Sequence, residues 1–342
     1  MKRLIILAIA VLASVPLFAQ DPQTAAAEAA AALTAAPDAP KAVAKPVHWK
    51  KWAKTDLKFT QTSLTNWAKG GFNQFTFATY IDANANYAKD KTTWTNRLQM
   101  DYGFLYSADK PIVQKNLDRI YFKSDYGYKT NVKNLTYSVN FDFKTQFDNN
   151  YTYGTPKSNG ETEPTKEDWL NARKLKSGFL SPGTSQLGIG IKWVPKKWLT
   201  VNASPLTGGF VIVREETLRK TNGMELRKEG LDPKEGSNYR PARFELGAKV
   251  VTEIKLKVND NISYETQLIL FSNYLKNPQN IRVNWDNRLE WKMAKYLTMT
   301  FNTFLIYDDT IRIVDADHPD GFRAIQFKEF LQFGFTYTFG KK

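Results

Sequence analysis

Between Ile281 and Trp291, Arg282, Asn284, Asp286, Arg288 and Glu290 alternate with Ile281, Val283, Trp285, Leu289 and Trp291, Asn287 being the one polar exception in the second set. An extended strand turns successive side chains to opposite faces, so this segment presents a ladder of charge on one side and a mostly apolar surface on the other. The same division recurs elsewhere. Arg97 and Asp101 oppose Trp94, Leu98, Met100 and Tyr102, while Arg119, Lys123 and Asp125 oppose Ile120, Phe122, Tyr126 and Tyr128. Glu245, Lys249, Glu253 and Lys255 likewise alternate with Phe244, Leu246, Val250 and Ile254. Two kinds of chemistry are open to such ladders. They can line a water-filled path and select solutes by sign, as charged rings do in channels, or they can cross-pair into a salt-bridged plug. Opposite charges at alternate positions of one strand favour pairing, whereas the surplus of Lys and Arg leaves some cations over.

Bond-making chemistry has less to work with. The chain has no Cys and two His, His48 and His318. A Ser–His couple in a membrane barrel needs its His on a strand beside a Ser near the bilayer rim, and neither His is placed so. Asp308 and Asp309 are adjacent, so on a strand end they point to opposite sides. The segment from Asp315 to Gly321 is acidic but departs from the EF-hand spacing: Pro319 stands fifth and Gln326 twelfth. It reads as a solvated Asp/Pro/Gly turn. No enzyme activity, metal site or cofactor is expected.

The elements that must carry the ladders follow from the same alternation. Aromatic residues make up 14% of the chain, and mean hydropathy is −0.47, a combination that suits strands in which each apolar residue is followed by a polar one. The last segment, Leu331 to Phe339, places Phe333, Phe335, Tyr337 and Phe339 on one face, as expected of a strand that closes an outer-membrane barrel. From residue 57 onward about twelve such segments can be counted: 57–65, 74–87, 92–107, 118–129, 135–148, 186–194, 198–206, 243–258, 262–272, 281–291, 297–308 and 327–339. The connections between them alternate between tight turns and longer loops, the longest being 149–184, 207–242 and 309–325, which is the rim asymmetry of bacterial transmembrane barrels. Within the first of the long-side connections, 66–73, Gly70-Gly71 suits a reversal and Trp67 the membrane interface. Trp169, Leu170 and Leu175 fall at helical spacing and predict a short helix near 165–176 that could act as a lid.

The N-terminus gives an address. Lys2 and Arg3 precede an apolar run, Leu4 to Leu17, with a cleavage point after Ala19, so residues 1–19 read as a signal peptide. Residues 20–48, rich in Ala and Pro, read as a periplasmic tether, and residues 49–342 as the barrel. The formal charge of +14 falls to about +12 once Lys2 and Arg3 are removed. In an exported protein this charge points to anionic headgroups or solutes and away from nucleic acid.

A family resemblance runs through the same region. The motif Gln61-Thr62-Ser63-Leu64-Thr65-Asn66-Trp67-Ala68-Lys69-Gly70-Gly71 resembles the opening motif of a domain-of-unknown-function family of Bacteroidetes outer-envelope proteins. Trp94-Thr95-Asn96, Lys115-Asn116-Leu117-Asp118, Phe143 to Phe147, Ser177 to Pro182 and Ala203 to Thr207 follow in order, and the resemblance spans roughly residues 49–340. It implies an outer-membrane barrel and brings no activity with it.

The expectation is therefore an all-β, antiparallel transmembrane outer-membrane barrel of about twelve strands with both termini in the periplasm. The lumen-lining candidates are Arg97, Asp101, Arg119, Lys123, Glu253, Lys255, Arg282, Asp286, Arg288 and Glu290. The leading functional expectation is a channel for small, anionic solutes. The alternatives are a non-conducting structural or assembly barrel acting through its outer loops, and a barrel-embedded lipid-modifying enzyme. Expected partners are outer-membrane lipid and lipopolysaccharide, the barrel-assembly machinery during biogenesis, and a small anionic solute.

Overall fold

The computed structural model describes residues 48–62, 74–156, 164–313, 318 and 321–340. The expected signal peptide and nearly all of the expected tether lie outside these residues, as do Asn66–Gly71 and most of the acidic segment 315–320.

The strands are β1 (Trp49–Thr62), β2 (Gln74–Lys89), β3 (Thr92–Ser107), β4 (Lys110–Lys129), β5 (Leu135–Thr145), β6 (Asn150–Tyr153) and β7 (Arg173–Ser177), with helix α1 (Lys166–Asn171) before β7. They continue as β8 (Gly183–Lys196), β9 (Leu199–Ile212), β10 (Ala242–Lys257), β11 (Ile262–Asn273), β12 (Ile281–Lys292), β13 (Leu297–Tyr307) and β14 (Gln326–Gly340). Twelve of them close into a barrel in the order β1-β14-β13-β12-β11-β10-β9-β8-β5-β4-β3-β2, every neighbouring pair antiparallel. The remaining two, β6 and β7, form a separate hairpin in the connection from β5 to β8.

The aromatic terminal strand makes the closure. Phe333, Phe335 and Phe339 of β14 stand in register with Phe59, Leu57 and Ala53 of β1, while the other edge of β14 pairs with β13. No edge is left to template further pairing, which satisfies every ladder group where no water is available. No helix among the described residues is long and apolar enough to cross a membrane.

Strand bounds differ most from the expected ones at β9, which runs on to Ile212 rather than ending at Leu206, and at β1 and β4. β1 begins at Trp49 rather than Leu57, and β4 at Lys110 rather than Asp118, so 108–116 is a two-residue turn rather than a long-side loop. The rim asymmetry otherwise holds. Tight turns at 90–91, 130–134, 197–198, 258–261 and 293–296 share a rim with both ends of the barrel, and the long connections lie on the other. Asp90 (φ 51°) and Asn134 (φ 64°) take the left-handed conformation in two of these turns, which their short polar side chains tolerate.

The outward face is apolar and aromatic at both rims. Trp94, Tyr128, Tyr137, Trp193, Trp198, Trp291, Tyr296 and Tyr337 are exposed near the short-turn rim, and Phe75, Tyr106, Phe210, Phe244, Tyr274 and Phe327 near the long-loop rim. Trp94 and Tyr106 lie twelve positions apart on β3, as do Phe327 and Phe339 on β14. At about 3.3 Å per residue and a tilt of about 40°, that separation is about 30 Å, the height of an apolar band flanked by interfacial aromatic girdles.

On the long-loop rim the chain folds further. The expected helix is present as Lys166–Asn171, shorter than the spacing suggested because Leu175 belongs to β7. It starts with a capping box: Thr165 Oγ1 accepts from the Asp168 backbone N–H, and the Asp168 carboxylate accepts from the Thr165 N–H. The Thr165 hydroxyl and the Thr165 backbone N–H, both donating to it, hold the exposed Asp168 carboxyl below its usual range. Between β9 and β10, Val213, Leu218, Met224 and Tyr239 join Val211 in a small apolar core. The buried Arg219 fastens this cap by donating to the carbonyls of Val213, Arg214 and Tyr239.

Candidate functional site

Nine of the ten lumen candidates belong to one interior network. Arg97, Asp101, Arg119, Glu253, Lys255, Asp286 and Arg288 line a common cavity of about 70 Å³. Lys123 joins them through Glu253, and Glu290 through Arg288. Arg282 lies higher, where it pairs with Glu245 at 2.5 Å and Asp308 at 3.5 Å and stacks over Phe271.

The geometry of Arg97 and Arg119 defines the centre of the site. Arg97 donates twice to Asp82 of neighbouring β2, at 2.8 and 2.7 Å, and also reaches Glu265 on β11 at 3.2 Å. Arg119 pairs with Asp101 of neighbouring β3 at 2.8 Å and with Asp286 on β12 at 3.3 Å. In the twelve-strand ring β3 and β11 lie diametrically opposite, and so do β4 and β12. Each guanidinium is thus anchored to its own wall by the shorter contact and bars the lumen with the longer one.

Such bars constrain the cross-section. A circular barrel of twelve strands at about 4.8 Å spacing and 40° tilt would hold opposite backbones about 24 Å apart. An Arg–Asp pair spans roughly 13 Å between Cα atoms at standard bond lengths. The barrel is therefore flattened, with β3 and β4 approaching β11 and β12. The sharp edges of a ring flattened along that direction fall near the β8–β9 and β14–β1 seams, and β8 and β14 each carry a glycine in close contact with the strand across the seam. A Cβ on Gly190 would lie 1.9 Å from the Ala203 carbonyl oxygen, and one on Gly334 would lie 2.2 Å from that of Leu57. Ser138 of β5 bonds to Asn202 of β9, and Asn140 to Ser204, with β8 between them.

Several members of the network were not among the candidates. Asp56 on β1 is fully buried and takes Arg288 at 2.7 Å, Lys58 at 3.5 Å, Lys54 at 3.8 Å and the Thr336 hydroxyl at 2.9 Å. Lys54 also pairs with Glu290, and Lys249 with Asp142. Lumenal aromatics hold the cations in place, with Arg288 over Tyr80 at 4.6 Å and Arg119 over Phe304 at 5.7 Å. Among the described residues, Lys144 and Lys255 form no ion pair within 4.0 Å. The cavity wall carries five cations, Lys58, Arg97, Arg119, Lys255 and Arg288, against four carboxylates, Asp101, Glu253, Glu265 and Asp286.

The residues considered for catalysis or metal binding are placed otherwise. His48 meets the ring of Tyr87 and His318 that of Phe322. Asp308 accepts from Thr310 and faces Arg282, and Asp309 accepts from Asn280. Among the described residues no group of three or more His, Cys, Asp or Glu could hold a metal ion.

An apolar exterior with aromatic girdles, a closed ladder and a charged interior define a transmembrane β-barrel of the outer-membrane type. A family model described as "Protein of unknown function (DUF3078)" matches residues 59–151. No curated protein matches the chain. Among solved structures, the translocator domain of the autotransporter NalP from Neisseria meningitidis is similar over 86% of this chain and 90% of its own, with 9% identity and a TM-score of 0.38. An outer-membrane channel from Pseudomonas putida F1 is similar over 88% and 98%, with 10% identity and a TM-score of 0.36. A porin is similar over 85% and 100%, with 6% identity and a TM-score of 0.29.

Proposed function

We propose that the protein is a narrow outer-membrane channel for small solutes, closed at rest by the two cross-lumen bars. The observation that carries this reading is the hierarchy at Arg97 and Arg119: 2.7–2.8 Å to the near wall, 3.2–3.3 Å to the far one. Breaking a bar leaves its arginine paired at the wall, so opening exposes no isolated charge on that side. The tight-turn rim and both termini face the periplasm, and the aromatic girdles sit against phospholipid on one side and lipopolysaccharide on the other. A preference for anions draws on the unpaired Lys144 and Lys255 and on the one-charge excess of cations around the cavity. Passage of small anions is the expected activity.

Asp286→Asn tests this reading, because it removes a far-wall partner and leaves the Arg119–Asp101 anchor intact. In planar bilayers the purified barrel should show small, discrete steps, and the variant should at least double either the step size or the open fraction. Folded barrels that stay silent in both forms would overturn the channel reading. The ordered cap on the β9–β10 connection, with an apolar core of its own, favours the second reading, a non-conducting barrel that works through its outer surface.

A further inference from the structure

Glu265 occupies an unusual position in the network. On the barrel wall it stands directly across from Lys255 of β10 on one side and Arg288 of β12 on the other. From the opposite wall Arg97 reaches it at 3.2 Å. All four side chains line the same cavity. Three cations from three strands thus flank one carboxylate, Arg97 alone within 4.0 Å of it. That carboxylate is also the most exposed anion of the lumenal ion pairs, its side chain retaining 42% of its accessible surface. Arg97 and Arg288 keep wall carboxylates of their own, Asp82 and Asp56, and Arg288 also touches Glu290. Lys255 has none. With Glu265 withdrawn, the cradle would present one cation in full and two shared ones to the lumen.

We infer that Arg97, Lys255 and Arg288 form a binding station for a small oxyanion, a carboxylate or phosphate, and that the Glu265 carboxylate is its built-in stand-in. A Glu side chain has enough rotatable bonds to swing aside, and an incoming oxyanion replaces the contacts it gives up. Arg97, whose Nε and Nη2 are held by Asp82, offers the anion the Nη2 donor that now also reaches Glu265, and Lys255 supplies a point charge with no ion pair of its own within 4.0 Å. The station names the solute class for the channel reading and rests on that reading for passage, though not for binding.

Binding is tested on the full-length, detergent-folded barrel with inorganic phosphate as probe, followed by 31P line broadening. Glu265→Gln removes the stand-in while keeping its shape. Phosphate should then bind at least about tenfold more tightly, the order expected for deleting one like charge a few ångströms away in a partly solvated site. Adding Lys255→Gln to that variant should reverse most of the gain, and the substitution breaks no ion pair within 4.0 Å. Retention of the compact, heat-modifiable band on gels checks folding throughout. Unchanged phosphate binding in folded Glu265→Gln, or a gain that survives loss of Lys255, would overturn the station. Conductance separates the two proposals: phosphate binding in a silent barrel supports the station and sinks the channel, whereas a conducting barrel indifferent to Glu265 does the reverse.

Discussion

Asp56→Asn is the substitution with the largest effect expected of any single isosteric change in the lumen. The carboxylate is fully buried and faces three cations, Arg288 at 2.7 Å, Lys58 at 3.5 Å and Lys54 at 3.8 Å. At an effective dielectric of about 20, each contact is worth roughly 4–6 kcal/mol before desolvation, and burying the carboxylate offsets several kcal/mol of the sum. An Asn keeps the shape and can still accept from Thr336, but it leaves Lys54 and Arg288 sharing Glu290 and Lys58 without an ion pair within 4.0 Å. Breaking a buried ion network from one side costs about 3–5 kcal/mol, and that is the expected loss. The assay is urea unfolding of the barrel in detergent, followed by tryptophan fluorescence and the heat-modifiable band. The midpoint should fall without a change in slope, because the surface exposed on unfolding is unchanged. A second arm isolates the cause: Asp56→Asn with Lys58→Met removes one orphaned cation and should recover at least half of the loss. A deficit under about 1 kcal/mol, the range of exposed pairs, or a double variant worse than the single, would refute the view of Asp56 as the hub of the closing seam.

Two further outcomes follow from the wall. Gly190→Ala should prevent folding in detergent, because its Cβ would lie 1.9 Å from a backbone oxygen, whereas Gly208→Ala, whose Cβ would meet nothing closer than 3.5 Å, should fold normally; gel mobility with and without heating reads both. Ile189→Lys places a charge on the lipid face midway along β8 and should cost about 2–4 kcal/mol in vesicle unfolding titrations, and a cost near zero would remove Ile189 from the apolar band.

Much of this fold could be read from alternation alone, because a barrel wall with lipid on one side and charge on the other is a strict period-two pattern. Where the pattern weakens, the reading failed. The outward positions of the first half of β1 are Trp49, Lys51, Ala53 and Thr55. Their apolar signal is too faint to mark a strand, so Lys54, Asp56 and Lys58 were missed although they centre the closing seam. In β4 the stretch 110–117 begins with Lys-Pro and carries register shifts against β3 near Gly103 and Ser107, which scramble the period. The inward direction of Arg97, Arg119 and Arg288 was legible. Which carboxylate each would meet was not, since Glu265 lies 168 residues from Arg97 and Asp286 lies 167 from Arg119.

Under the proposed channel reading, the competing expectations for the lumen, a charged path or a salt-bridged plug, are two states of one arrangement. In a round barrel of this strand number the opposing ladders would stand too far apart to touch, and the charges could only line the wall. Glycines on β8 and β14 allow close backbone approach near the two edges, and it is the flattening that lets Arg97 and Arg119 reach across. The near-wall anchors at 2.7–2.8 Å need no flattening, since Asp82 and Asp101 lie on adjacent strands. The far-wall contacts depend on it entirely. Any force that rounds the cross-section by a few ångströms would therefore break both bars together and leave both anchors in place. The fold thereby couples lumen width to charge pairing through backbone curvature, with no moving loop required.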